Sequence, residues 1–320
     1  MPLKRLIPLG LLSLLLAPAA LLAQAQDPYP VSRVSLVTHS SPGGGTDVFL
    51  RSLTKHLTLK TNFAIENIRG GSGATAVAHV AKSAPDGSVL YGTTPTYIQT
   101  TLLSKPAVGY DGLDPLAIMF IDPEVIYTRT ESPFKTLAEV VAFAKANPGK
   151  LNFAISGTGG APHLAGIAFA QRTGINWAYI PYKGGSQAVA DVASGQANVI
   201  MNGMLATYPT MKSGRIRALA ISSAQRVGSA PEVPTIAETL PGFETGSYQG
   251  LLAPAGTPRD VVGKLNAEIA KILATQEMRD KLAVLGTEVR TAQPEALGTF
   301  ISTEKNRWAQ VIKESGIKFD

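Results

Sequence analysis

The sequence has no cysteine among its 320 residues. That absence excludes a disulfide framework, thiol catalysis and a lipid-modified N-terminal cysteine. Hydrolase signatures are missing too. There is no Gly-x-Ser-x-Gly elbow, and Gly70-Gly71-Ser72-Gly73-Ala74 comes nearest without the final glycine. No His-Glu-x-x-His, phosphate loop or dinucleotide fingerprint occurs. The histidines, His39, His56, His79 and His163, lack any metal-ligand spacing, so neither a metal nor another cofactor is expected. No Lys/Arg stripe with interleaved aromatics is present, which argues against nucleic acid as a partner.

Only one apolar run is long enough to consider for a membrane. Lys4 and Arg5 precede Leu6 to Leu22, which Pro8, Gly10 and Pro18 interrupt, and the small-residue signal Ala23-Gln24-Ala25 follows. This pattern predicts a cleaved signal peptide over residues 1–25 rather than an anchor. The expected product is exported, unanchored and periplasmic where the source has an outer membrane. Losing Lys4 and Arg5 lowers the formal charge from +6 to about +4. So mild a balance is compatible with a small anionic ligand and equally with a solvated basic surface.

A chain of this length exceeds what one hydrophobic core usually supports, about 250 to 300 residues, so two lobes are expected. From Val31 onward strand and helix signals alternate, which predicts an α/β fold with largely parallel sheets. Strand-like Arg33 to Thr38 runs into Ser40-Ser41-Pro42-Gly43-Gly44-Gly45-Thr46-Asp47, and Phe49, Leu50, Leu53 and Leu57 then recur at helical spacing. Thr136-Leu137-Ala138-Glu139 reads as a capping box. Leu151 to Ile155 enters Ser156-Gly157-Thr158-Gly159-Gly160-Ala161-Pro162, and the helix behind it closes at Gly174. Leu116 to Thr128 is too extended for one ordinary strand and is read as carrying the chain between lobes; Tyr248 to Ala253 is read as the return. Thr257-Pro258 begins a helix in cap-then-proline order.

The two glycine loops carry the functional signal. Each lies between a strand and a helix, where glycine lets the backbone approach a ligand and the first N–H groups of the helix point outward. Facing one another, they would hold a carboxylate by N–H donors and helix dipoles. A helix terminus contributes at most about 2 kcal/mol, whereas micromolar binding needs about 8 kcal/mol. Hydroxyls and apolar walls must therefore add to it. Ser40, Gly43, Gly44, Gly45, Thr46 and Thr94 on one side, and Ser156, Thr158, Gly159, Gly160 and Ala161 on the other, are the candidate ligand-binding residues. Thr46 has the alternative of capping its helix, and Asp47 fits a loop brace better than an anion contact. His163 either reaches the ligand or bonds the loop backbone, and Lys183 is either a ligand cation or an ordinary surface lysine. Tyr97, Phe120 and Tyr248 are either pocket walls or core.

Pro42 to Asp47, Pro85-Asp86-Gly87, His163-Leu164-Ala165-Gly166, Pro181-Tyr182-Lys183-Gly184-Gly185 and Gly214 to Ala220 together resemble the periplasmic receptors of the tripartite tricarboxylate transporter type, also called Bug receptors. The likeness covers nearly all of the mature chain. It implies a two-lobed periplasmic binding protein of the type II-like, Venus-flytrap kind, each lobe a mixed sheet flanked by helices and the two crossing strands a hinge. Lobe 1 would be 26–126 plus 248–320, and lobe 2 would be 127–247. The resemblance further implies a monomeric solute receptor that closes over a carboxylate, with bridging waters, and delivers it to membrane subunits of the transporter. Where relatives often carry an acid near 198–203, this chain has Asn198 and Asn202. Asn202 is a further site candidate, and the missing acid tilts the expected ligand from amino acids toward mono- or dicarboxylates, aliphatic or aromatic. A sensory subunit serving a membrane kinase would share this site, and an exported hydrolase is a third reading. Thr46→Val is expected to weaken ligand binding and leave the fold intact; calorimetry showing unchanged affinity would restrict the loop's role to its backbone.

Overall fold

A computed structural model describes residues 29–104, 112–245 and 248–315. The expected signal peptide, 1–25, lies outside the described residues. In chain order the elements are β1 (Arg33–Thr38), α1 (Gly45–Thr54), β2 (Asn62–Asn67), α2 (Ala74–Ala81), β3 (Val89–Thr93), α3 (Thr96–Ser104), β4 (Leu113–Ile121), β5 (Glu124–Arg129) and α4 (Leu137–Ala146). They continue as β6 (Asn152–Ile155), α5 (Ala161–Thr173), β7 (Ala178–Pro181), α6 (Gly185–Ser194), β8 (Val199–Gly203), α7 (Met204–Lys212), β9 (Ile216–Ile221) and α8 (Ile236–Thr239). The chain closes with β10 (Tyr248–Pro254), α9 (Arg259–Leu273), α10 (Gln276–Val284), β11 (Glu288–Ala292) and α11 (Pro294–Ser315).

The strands form two mixed sheets, one per lobe: six strands in the order β11-β4-β10-β3-β1-β2, and five in the order β7-β6-β8-β5-β9. β1, β2 and β3 are mutually parallel, as are β7, β6 and β8, whereas β10 and β5 run antiparallel to their neighbours. The extended stretch read as a crossing resolves into β4 in the first sheet and β5 in the second, broken at Asp122-Pro123. Proline supplies no ladder donor, so a change of sheet there sacrifices no backbone hydrogen bond.

Local chemistry explains most boundaries. Thr136 accepts from the N–H of Glu139, whose carboxylate returns to the Thr136 N–H, so the capping box forms. Gly174 ends α5 at φ +68°, a left-handed turn that favours glycine. The expected cap at Thr257 is not made: Pro258 is the N-cap of α9, and the Thr257 hydroxyl donates backward to the Pro254 carbonyl at 2.6 Å. Helices α3, α7 and α10 and strand β11 lie beyond what the sequence patterns predicted.

One apolar cluster runs from Val37 and Tyr91 of the first sheet through Tyr97 and Trp308 to Leu164, Phe169 and Phe153 of the second lobe. α11 packs on β4, α3 and α5, so the last helix touches both lobes. Tyr97, Phe120 and Tyr248 are all buried in the core; Phe120 meets Phe49 edge-on at 4.6 Å. α5 lies close against β6 because Gly166 carries no side chain: a Cβ there would stand 2.7 Å from the Phe153 ring. That ring is fully buried and stacks on Trp177 at 4.3 Å, so it has nowhere to retreat. Gly166→Val is expected to cost about 1–3 kcal/mol by overpacking, read as a lowered urea midpoint; an unchanged midpoint would mean that the Phe153 stack yields.

Candidate functional site

A cavity of about 320 Å³ lies between the two sheets. Its walls are the segments that follow the C-terminal ends of β1, β2, β3, β6, β7 and β8, joined by the Asp122–Glu124 junction and by Gln249 of β10. This is the crevice where α/β sheets usually hold ligands. Four helices, α1, α2, α5 and α6, begin at it with Gly44, Gly73, Gly160 and Gly184 as N-caps, glycines that have no side chain with which to cap their own helices. Helices α4, α8 and α10, by contrast, carry threonine caps. Omitting the caps leaves N–H donors and positive dipole ends facing the cavity.

The residues singled out from the sequence divide into two groups. Ser40, Gly44, Gly45, Thr46, Thr94, Ser156, Gly160, Ala161 and Asn202 line the cavity. Gly43, Asp47, Thr158, Gly159 and His163 are not among its lining residues. Asp47 accepts from the Gly43 N–H at 2.9 Å and from Asn67 at 2.9 Å, and it pairs with Arg51 at 2.9 Å. Burial opposes its charge, but these bonds prevail and hold the carboxyl below its ordinary range. His163 Nδ1 accepts from the Gly159 N–H at 2.9 Å, and its ring meets Tyr179 edge-on at 4.9 Å. The imidazole therefore bonds the loop backbone. The Thr158 carbonyl accepts from the Ser72 hydroxyl, and the Ala161 N–H donates to Thr96 Oγ1 at 3.3 Å, so the two lobes touch beside the cavity.

Thr46 has a partner that the sequence did not reveal. Its hydroxyl donates to Gln249 Oε1 at 2.8 Å, Gln249 Nε2 donates to Asp122 Oδ2 at 3.1 Å, and Asp122 Oδ1 accepts from the Leu205 N–H at 2.8 Å. Asp122 thereby serves the start of α7, whose N-cap Gly203 makes no side-chain bond. Although 198–203 carries no acid, the cavity has two: Asp122 and Glu124, both buried, line it from the junction of β4 and β5. Burial pushes Asp122 up to about 6, against the bonds from Leu205 and Gln249. Burial and the neighbouring Asp122 charge push Glu124 well above its ordinary value. Exposed Arg69 and Lys183 complete the wall. A legible signal for the acids was their place on either side of Pro123 inside an apolar run, and for α6 the Gly184-Gly185 pair, which repeats the pattern of the other two loops.

No group of three or more acidic or histidine side chains suited to a metal occurs among the described residues. No helix among them is long and apolar enough to cross a membrane. The geometry suits reversible capture of a small anion by backbone donors and hydroxyls.

Residues 50–317 match the model of the tripartite tricarboxylate transporter family receptor. Among solved structures, the Rhodopseudomonas palustris protein Rpa4515 with adipate is 31% identical, with a TM-score of 0.85 over 91% of this chain and 99% of that one. The periplasmic binding protein BugD is 31% identical, with a TM-score of 0.84 over 91% and 99%. MatC from Rhodopseudomonas palustris with bound malate is 29% identical, with a TM-score of 0.82 over 89% and 100%. These neighbours are solute-binding proteins.

Desolvation lowers His163 from 6.5 to about 4, so the folded protein declines a proton that the unfolded chain accepts. Its contribution to stability is complete above pH 6.5 and is lost as pH falls toward 4, by at most about 3 kcal/mol. His163→Asn, whose side-chain oxygen can still accept from Gly159, is expected to shrink the acid loss in urea unfolding between pH 7 and pH 4; an unchanged loss would assign it to other groups.

Proposed function

Because the chain belongs to the tripartite tricarboxylate transporter receptor family, we propose that it is an extracytoplasmic, periplasmic and monomeric receptor. It captures a small organic mono- or dicarboxylate, aliphatic or aromatic, and delivers it to the membrane subunits of a tripartite tricarboxylate-type transporter. The observation that carries this reading is the convergence of four glycine-started helix N-termini on one cavity. Backbone donors and dipoles favour an anion without a dedicated arginine. Neighbours in the same family that hold adipate and malate support a carboxylate as that anion.

In this reading the cavity-lining residues Ser40, Gly44, Gly45, Thr46, Thr94, Ser156, Gly160, Ala161 and Asn202 contact the ligand directly or through water. Gly43, Asp47, Thr158, Gly159 and His163 hold the loops in shape. Closure is a hinge at the two crossings, with 26–126 plus 248–320 moving against 127–247. The ligand drives it by contacts made only in the closed state. The protein is not an enzyme in this reading: among the cavity-lining residues the only imidazole is His39, whose Nδ1 is engaged by the Tyr91 hydroxyl at 2.7 Å.

A thermal-shift screen across carboxylates tests the reading. A ligand present at about a hundred times its Kd stabilises the native state by about 2.7 kcal/mol, so the melting temperature should climb with concentration. The ligand should be recovered unchanged, and small-angle scattering at saturation should show compaction. Turnover of the ligand would overthrow the receptor reading, and an unchanged radius would remove the hinge.

A further inference from the structure

Two polar atoms at the cavity have no hydrogen-bond partner although they are buried: Oε2 of Glu124 and Nδ2 of Asn202. The side chains are 5% and 7% exposed. They sit at adjoining ends of paired strands, where Glu124 of β5 faces Gly203 of β8 and Val125 faces Asn202. We propose that Glu124 and Asn202 determine specificity by donating hydrogen bonds, each from its own side of the strand ends, to carboxylate oxygens that the glycine loops alone do not satisfy. The cleft would then select dicarboxylates over monocarboxylates with an apolar tail. This inference rests on the carboxylate-receptor reading.

An amide nitrogen can only donate, so Asn202 Nδ2 requires an acceptor. For Glu124 the protonation state decides. Asp122 and Glu124 flank Pro123 and face the same cavity, and two buried carboxylates so close do not both ionise readily. Asp122 accepts from Leu205 and Gln249, bonds that favour its charged form, while Glu124 Oε2 has no donor at all. The proton therefore resides on Glu124, which then presents an O–H. The other titratable groups around it are Tyr127 on its own strand and His39, Arg69, Tyr182 and Lys183 in the cavity wall. Arg69 and Lys183 are exposed. His39 is held near 4 by desolvation and stays neutral. No buried cation among the cavity-lining residues draws the proton away.

A second ligand carboxylate placed against Glu124 favours the protonated form still more. Binding then takes up a proton wherever the pH lies above the value for the free site, and affinity falls as the pH rises. A ligand ammonium in the same place would do the opposite, since it requires Glu124 ionised.

Calorimetry on the folded full chain, comparing succinate through suberate with butyrate through octanoate between pH 7 and pH 9, above the range in which Asp122 titrates, tests this. The wild type should bind diacids about tenfold or more tightly than monoacids of equal length, and less tightly as the pH rises. Glu124→Ala should abolish the preference. Glu124→Gln, which keeps a donor, should restore it to within about threefold and abolish the pH dependence. Asn202→Ala should weaken the preference and keep the pH dependence, with thermal melts verifying that each variant folds. Preference that survives Glu124→Ala, a wild-type pH profile in Glu124→Gln, or glutamate bound more tightly than glutarate would overturn the inference. Equal binding of mono- and diacids would overturn it and leave the receptor reading standing, whereas binding of neither series would overturn both.

Discussion

The backbone N–H groups that begin an α-helix must find acceptors, and at the cleft of this protein the sequence withholds them. Gly44, Gly160 and Gly184 occupy positions where serine, threonine or aspartate would normally close the helix end. With glycine at the cap, each omission costs the free protein only about a few tenths of a kcal/mol, and together they set the character of the site. The helices that begin at the cavity are held in orientation by the two sheets, so the donors at their first turns are fixed in the free protein. Asp47 and His163 are understood in the same terms. Neither touches the cavity, but each bonds the N–H of a loop glycine and so fixes the backbone that carries the donors.

Both crossings between the lobes are tied to one of these loops. Asp122 lies where the first crossing changes sheet, Gln249 lies on the strand that returns, and Thr46 lies in the first turn of α1. The bonds Thr46 to Gln249 to Asp122, and Asp122 to the start of α7, make a continuous buried chain. A shift of the α1 loop is therefore felt at both crossings through direct contacts, without any intervening soft side chain at the surface. Burial raises Asp122 even though the bonds it accepts in this chain favour its charged form.

Much of the architecture was legible because local chemistry and tertiary context agree. The alternation of apolar strands with helical periodicity, the Thr136 capping box and the Gly174 stop all act through neighbours in sequence, and the folded protein uses them as read. The glycine loops were legible for the same reason. What could not be read was pairing at a distance. Gln249 is far in sequence from Thr46, and nothing local marks it as the partner of a cleft hydroxyl. α7 begins at Gly203 with its donors satisfied by Asp122, so no capping residue announced it. Thr257 carried a cap signature yet turned to Pro254, because that carbonyl lay within reach of its hydroxyl.

The contacts that join the lobes beside the cavity share a property with consequences for how such a receptor diversifies. Ser72 bonds the carbonyl of Thr158, and Thr96 bonds the amide of Ala161. On the second lobe both partners are main-chain atoms, a carbonyl that every residue supplies and an N–H that every residue except proline supplies. Side chains at 158 and 161 can therefore change over generations without dissolving the seam, while the residues at the strand ends vary independently of it. A lineage carrying this scaffold can rebuild the wall of its cleft and still inherit the join between its lobes.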